Sequence, residues 1–183
     1  MIQITIPAPQ TEEWDEKNEV FVYHITGKEQ TLKLEHSLVS LSKWESKWCK
    51  PFLSSEKTDE EFLDYIKCMT LTPNVPPDVY DRLTIENIDE IMDYIKSPMT
   101  ATTFRKSNEK PGREIVTSEL IYYWMITLNI PFECEKWPIK RLLTLIRVCE
   151  IKNGNPKKRS KSEIMRENAS LNAKRRKQFN TKG

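Results

Sequence analysis

A chain of 183 residues with five Trp, six Tyr and six Phe has the material for one true core, since a body near 150 residues buries roughly two-thirds of its unfolded surface. Only four glycines leave almost nothing for phosphate-cradling loops, and Cys49, Cys68, Cys134 and Cys149 form no C-x-x-C pair and have no histidine close by in sequence, which argues against a zinc site and for buried free thiols. The formal net charge of +2 hides a division: from Lys152 to Gly183 eleven Lys or Arg stand against two Glu, a balance of +9 that leaves −7 on residues 1–151.

The opening MIQITIPAPQ lacks the basic region and long apolar run of a secretory signal, and no stretch approaches the roughly twenty apolar residues that span a bilayer. The expectation is a soluble cytosolic protein. IQITI (2–6) alternates and is β-branched, while VFVYHI (20–25) and TLKL (31–34) flank a turn containing Gly27. Residues 1–35 thus read as a small β element. A lone hairpin is marginal in water, so it must pack on the helices that follow or lend its edge to another chain.

From Ser37 the period changes. Leu38, Leu41, Trp44 and Trp48 share one helical face, with Lys43, Ser46, Lys47 and Lys50 turned away and Pro51 closing the helix. Thr58 and Glu61 make a capping box for a second helix, whose buried side holds Phe62, Ile66 and Met69 and which stops before Pro73. Thr84 caps a third, with a stripe of Ile85, Ile88, Ile91, Met92 and Ile95 closed by Ser97 and Pro98. Residues 98–114 have no period and read as a long loop suited to binding. VTSELIYYWMITLNI (116–130) is apolar nearly all round, as a central helix would be, and Pro131 breaks it. Trp137 and Pro138 open the next helix, striped by Leu142, Leu145, Ile146 and Cys149.

KNGNPKKRSK (152–161) is a hinge, and Ser160 with Glu163 makes a further capping box for a helical arm. Ile164, Met165, Leu171 and Phe179 give that arm a thin apolar side, so it needs a partner to cover it. The expected organisation is α+β and predominantly α: an N-terminal β element (1–35), an acidic helical body as a bundle (36–151), and a basic hinge with a C-terminal helical arm (152–183).

Chemistry is thinly signalled. His24 and His36 are the two histidines, no nucleophile motif accompanies them, and both read as structural or exposed. Asp59, Glu60, Asp64, Glu86, Asp89, Glu90 and Asp93 lie opposite apolar stripes, as a solvated face does. Trp44 and Trp48 read as core rather than as a base-stacking platform. No reaction, metal or cofactor is expected. The arm admits three readings: a solvated tail, a non-specific nucleic-acid binder, or a protein-docking helix in which Arg166, Lys174, Arg175, Arg176 and Lys177 meet acidic faces while Ile164 and Leu171 anchor, with Phe179 also counted among the partner-binding residues. Docking is preferred. YYW (122–124) is too wide to be wholly interior, so Tyr122 or Tyr123 is expected to line a partner groove.

Three stretches carry a resemblance: LEHSLVSLSKWESKWCKPFL (34–53), WPIKRLLTLIRVCEIKN (137–153) and RENASLNAKRRKQFNTKG (166–183). Together they resemble the tail assembly chaperones of long-tailed bacteriophages, encoded near the tape-measure gene. The likeness spans most of residues 34–183 and its motifs are structural, so no catalytic residue is carried over. It implies a non-enzymatic, mainly helical protein that binds the tape-measure protein or tail-tube subunits in the host cytoplasm. A permanent virion component, such as a connector or minor tail protein, is the first alternative, and a homo-oligomer is compatible with either. A nucleic-acid-binding protein acting through the arm is the second alternative.

Overall fold

Instead of one hairpin about Gly27, the N-terminal residues form two separate antiparallel strand pairs, in a computed structural model that describes residues 1–104, 114–153 and 161–179. Strand β1 (Ile2–Ile6) pairs with β4 (Gln30–Leu34), and β2 (Gln10–Asp15) pairs with β3 (Val20–Ile25). VFVYHI therefore finds its partner in QTEEWD, a segment whose five polar residues out of six give no strand signal in the sequence. Gly27 sits where β3 leaves its pair: a Cβ there would lie 2.8 Å from the Pro9 ring, so only glycine permits that close approach. Thr26 N–H donates to the Pro9 carbonyl at 2.9 Å and closes the base of the β2–β3 ribbon.

The β1–β4 pair belongs to the core. Alternation drives Ile4, Ile6, Leu32 and Leu34 to one buried face. The segment after the second helix extends this small sheet, with Leu71 N–H donating to the Lys33 carbonyl at 2.7 Å and Glu35 N–H to that of Met69 at 2.9 Å.

Helix α1 (Leu38–Trp48) packs on α2 (Asp59–Met69) and on α4 (Ser118–Thr127), while α3 (Ile85–Lys96) packs on β1. Each of α1, α2 and α3 begins with a capping box, at Ser37, Thr58 and Thr84; the partners are Ser40, Glu61 and Asn87. Trp44 is fully buried, its indole N–H donating to the Glu61 carbonyl at 2.8 Å, and its ring meets Phe52 edge-on with centroids 5.2 Å apart. Phe52 stacks in turn on Tyr65 at 4.0 Å. Helix α5 (Ile139–Asn153) buries Ile139, Leu142 and Ile146, and Ile139 N–H donates to the His36 carbonyl at 2.8 Å.

The architecture is α+β and predominantly α, and the chain divides into two compact units, Met1–Glu150 and Ile151–Gly183. Helix α6 (Lys161–Phe179) belongs to the second.

Several expectations need correcting. Ile85 is 77% exposed, because the face of α3 that meets the rest of the body runs through Asn87, Ile91 and Tyr94; the Tyr94 hydroxyl reaches inward to donate to Glu35 Oε1 at 2.6 Å. Helix α4 is not central: it buries Ser118, Ile121 and Met125 and leaves Tyr123 and Ile126 outside. Among the four free cysteines only Cys134 is buried; Cys49 is exposed because it terminates α1 in the left-handed conformation at φ 52°. The hinge at 154–160, with Ser160 of the proposed capping box, and residues 105–113 of the expected loop lie outside the described residues.

Candidate functional site

Buried carboxylates are the first place to look for chemistry, and here each is bonded to the scaffold. Glu45 accepts from Phe52 N–H through Oε1 and from Ser118 N–H through Oε2, both at 2.7 Å, so it clamps α1 to the following loop and to the start of α4. A carboxylate at that helix start also meets the positive end of the α4 dipole. Glu61 closes its capping box and pairs with Lys50, which holds its carboxyl below the ordinary carboxylate range. Asp64 pairs with Lys47 and accepts from Trp48 Nε1 at 2.9 Å, so it is engaged, whereas Asp59, Glu60, Glu86, Asp89, Glu90 and Asp93 are exposed.

The two histidines differ. His24 is exposed on β3 with Nε2 3.4 Å from Glu13. His36 is buried, its Nδ1 lying 2.5 Å from the Tyr65 hydroxyl; burial first, and the charge of Lys140 second, lower its pKa to about 4. It is therefore neutral across the physiological range. Among the described residues no group of three or more His, Cys, Asp or Glu side chains is arranged to hold a metal, and no helix is long and apolar enough to cross a membrane.

Helix α6 carries most of the residues singled out for partner binding. Arg166, Leu171, Lys174, Arg175, Arg176, Lys177 and Phe179 are all exposed, as are Met165 and the remaining side chains from Asn168 onward. At 3.6 residues per turn Leu171, Phe179 and Met165 spread over roughly a third of the circumference, interrupted by Asn168, Asn172 and Arg175. That face is thin and broken by polar side chains. The basic run from Lys174 reaches the last turn with Arg176 and Lys177, where cations are favoured by the negative end of the helix dipole.

Tyr122 and Tyr123 lie in the other unit and have different surroundings. The Tyr122 hydroxyl donates to Glu135 Oε2 at 2.9 Å, which with partial burial pushes its pKa up to about 12, and its ring lies 6.4 Å from Phe132. It ties α4 to the 3-10 turn at Phe132–Lys136. Tyr123 points outward beside Ile126, one turn along the same helix face.

Two apolar surfaces escaped the sequence reading. One is a cleft of about 510 Å³ between α2 and α3, floored by Phe52, Phe62, Ile88, Met92 and Ile95 and rimmed by Lys57, Asp59 and Asp89. Its signal was present, since Ile88, Met92 and Ile95 were read as core stripe; what the sequence does not reveal is that all three are only half-buried. The other is the β2–β3 ribbon, whose alternation was legible only in β3.

Comparison of the chain with protein-family models, with curated proteins and with solved structures finds no significant match.

Proposed function

We propose that this protein is a non-catalytic assembly factor that grips a protein client through α6, of the kind implied by its likeness to the tail assembly chaperones of long-tailed phages, the client being the tape-measure protein or a tail-tube subunit. The single observation that carries the proposal is the state of α6: a nineteen-residue helix with every described side chain exposed, including Met165, Leu171 and Phe179. A helix gains most of its stability from an apolar face that something covers, and amphipathic helices that fold on contact are a common mode of recognition. The cleft between α2 and α3, apolar inside and rimmed by Asp59 and Asp89 with Lys57, offers a client helix a second place to lie.

The test is capture of tagged tape-measure protein and tail-tube protein by the full chain and by two variants, Leu171→Ala/Phe179→Ala and Arg175→Glu/Arg176→Glu. Each variant is expected to lose about tenfold in affinity, the effect of removing one anchor worth about 1.4 kcal/mol. Undiminished capture by both variants refutes the proposal. Duplex DNA is the control: tight binding with a log–log salt slope of about −0.9 per neutralised phosphate would make the arm a nucleic-acid binder instead. Mass spectrometry of purified particles separates the remaining readings, because a chaperone is absent from them and a permanent tail component is present.

A further inference from the structure

The β2–β3 ribbon is built unlike the other strand pair. Register places Gln10, Glu12 and Trp14 of β2 directly across from Ile25, Tyr23 and Phe21 of β3, and alternation sends all six side chains to one face. The four large apolar ones stay in solvent: Trp14 is 48% exposed, Phe21 58%, Tyr23 58% and Ile25 69%. Trp14 and Phe21 pack edge-to-face with centroids 4.9 Å apart, so the ribbon organises its own aromatic surface. The turn is equally local: Asp15 Oδ1 accepts from Lys17 N–H at 2.9 Å and Oδ2 from the Asn18 side chain at 2.7 Å, with Glu19 in the left-handed region. Whereas β1–β4 buries its isoleucines and leucines, this pair keeps its apolar face uncovered. Beside it lies a hollow of about 570 Å³ whose lining includes Trp14, Glu13, Asp15, Glu16 and Val22.

Charge decides what belongs on that face. Residues 10–25 hold Glu12, Glu13, Asp15, Glu16 and Glu19 against Lys17, a net −4. Two ribbons placed face to face would set Glu12 against Glu12 with a surrounding −4 on each, which argues against a second copy as the occupant. Glu12 stands within the apolar face, directly opposite Tyr23, and a wholly apolar partner would strip its water without replacing the charge. A partner that brings Lys or Arg among apolar side chains meets both demands. We infer that the β2–β3 ribbon is a docking surface, separate from α6, for a basic amphipathic helix of a partner protein, with Trp14, Phe21 and Tyr23 as anchors and Glu12 as its charge partner.

The experiment uses the full chain and two fluorescent synthetic helices of matched length, one of leucine and lysine and one of leucine and glutamate, followed by anisotropy. The leucine–lysine helix is expected to bind and the leucine–glutamate helix not to. Trp14→Ser/Phe21→Ser should weaken binding at least about tenfold, as loss of an aromatic anchor does, and Glu12→Gln should weaken it in the same direction with the aromatic face retained. Unchanged circular dichroism checks that the body is intact in each variant. Arg175→Gln/Arg176→Gln in α6 should bind like the parent, which keeps this result independent of the client reading above. Equal binding of both helices, undiminished binding by the ribbon variants, or a dimer of the parent chain that Trp14→Ser/Phe21→Ser dissolves would each overturn the inference.

Discussion

Buried neutral His36 makes the stability of the body depend on pH in a way that one substitution isolates. The ring is 5% exposed, with Tyr65 at its Nδ1 and Phe52 alongside, and its pKa falls from the ordinary 6.5 to about 4, chiefly through burial. Between those two values the unfolded chain binds the proton and the folded chain does not. Stability from this group is therefore complete above pH 6.5, falls as pH drops through the window, and is lost by pH 4. A gap of about 2.5 units at 1.36 kcal/mol per unit amounts to about 3 kcal/mol, of which about 2.4 kcal/mol is lost between pH 7 and pH 4.5. Carboxylates titrate in the same range, so the comparison must be with His36→Asn, which retains a polar atom near Nδ1 and cannot take up the proton. Urea unfolding of both proteins from pH 7 to pH 4.5, followed by circular dichroism, should show the stability gap between them shrinking by about 2 kcal/mol. Parallel curves, with a gap constant to within about 0.5 kcal/mol, would refute the reasoning, because His36 would then titrate alike in both states.

Other consequences concern the scaffold and the two binding surfaces. Glu45→Gln sets an amide N–H₂ against the N–H of Phe52 or Ser118, breaking one charge-assisted bond and leaving a donor unpaired; urea unfolding should record a loss of about 2–4 kcal/mol. Trp44→Ala should cost about 3–5 kcal/mol by the same measurement, and Trp48→Ala less, because its ring is only half-buried. Trp14→Ser/Phe21→Ser should leave the stability of the body nearly unchanged, within about 0.5 kcal/mol, since both rings are exposed and neither is a member of the core cluster.

What the sequence disclosed was governed by how local each signal is. Helix starts were legible because a capping box needs residues only three apart: Thr58 with Glu61 and Thr84 with its helix lie where the spacing placed them. Strand pairing was not, because IQITI could choose between two β-rich partners and the choice falls to long-range packing, which gives β4 to β1. QTEEWD looks polar since it lies on a ribbon exposed on both faces. Ile85 and α4 mislead for a related reason: composition tells that a helix is apolar, not how much of its circumference a neighbour covers. Glu35, Glu45 and Glu61 were missed as buried groups, since their partners come from other segments: the Tyr94 hydroxyl for Glu35, the Phe52 and Ser118 N–H groups for Glu45 and Lys50 for Glu61. For the candidate site, the exposed basic run of α6 was visible in the charge break, while the cleft between α2 and α3 was invisible because it is a space between two helices, set by how they pack and not by the residues of either alone.

Hydrogen exchange of the α6 amides, Lys161–Phe179, in the full chain with and without the tape-measure protein tests the central claim most directly. The account predicts little protection in the free protein, well below that of α1 and α2, and strong new protection once the partner is added. Full protection of α6 in the free chain, unaltered by the partner, would contradict it.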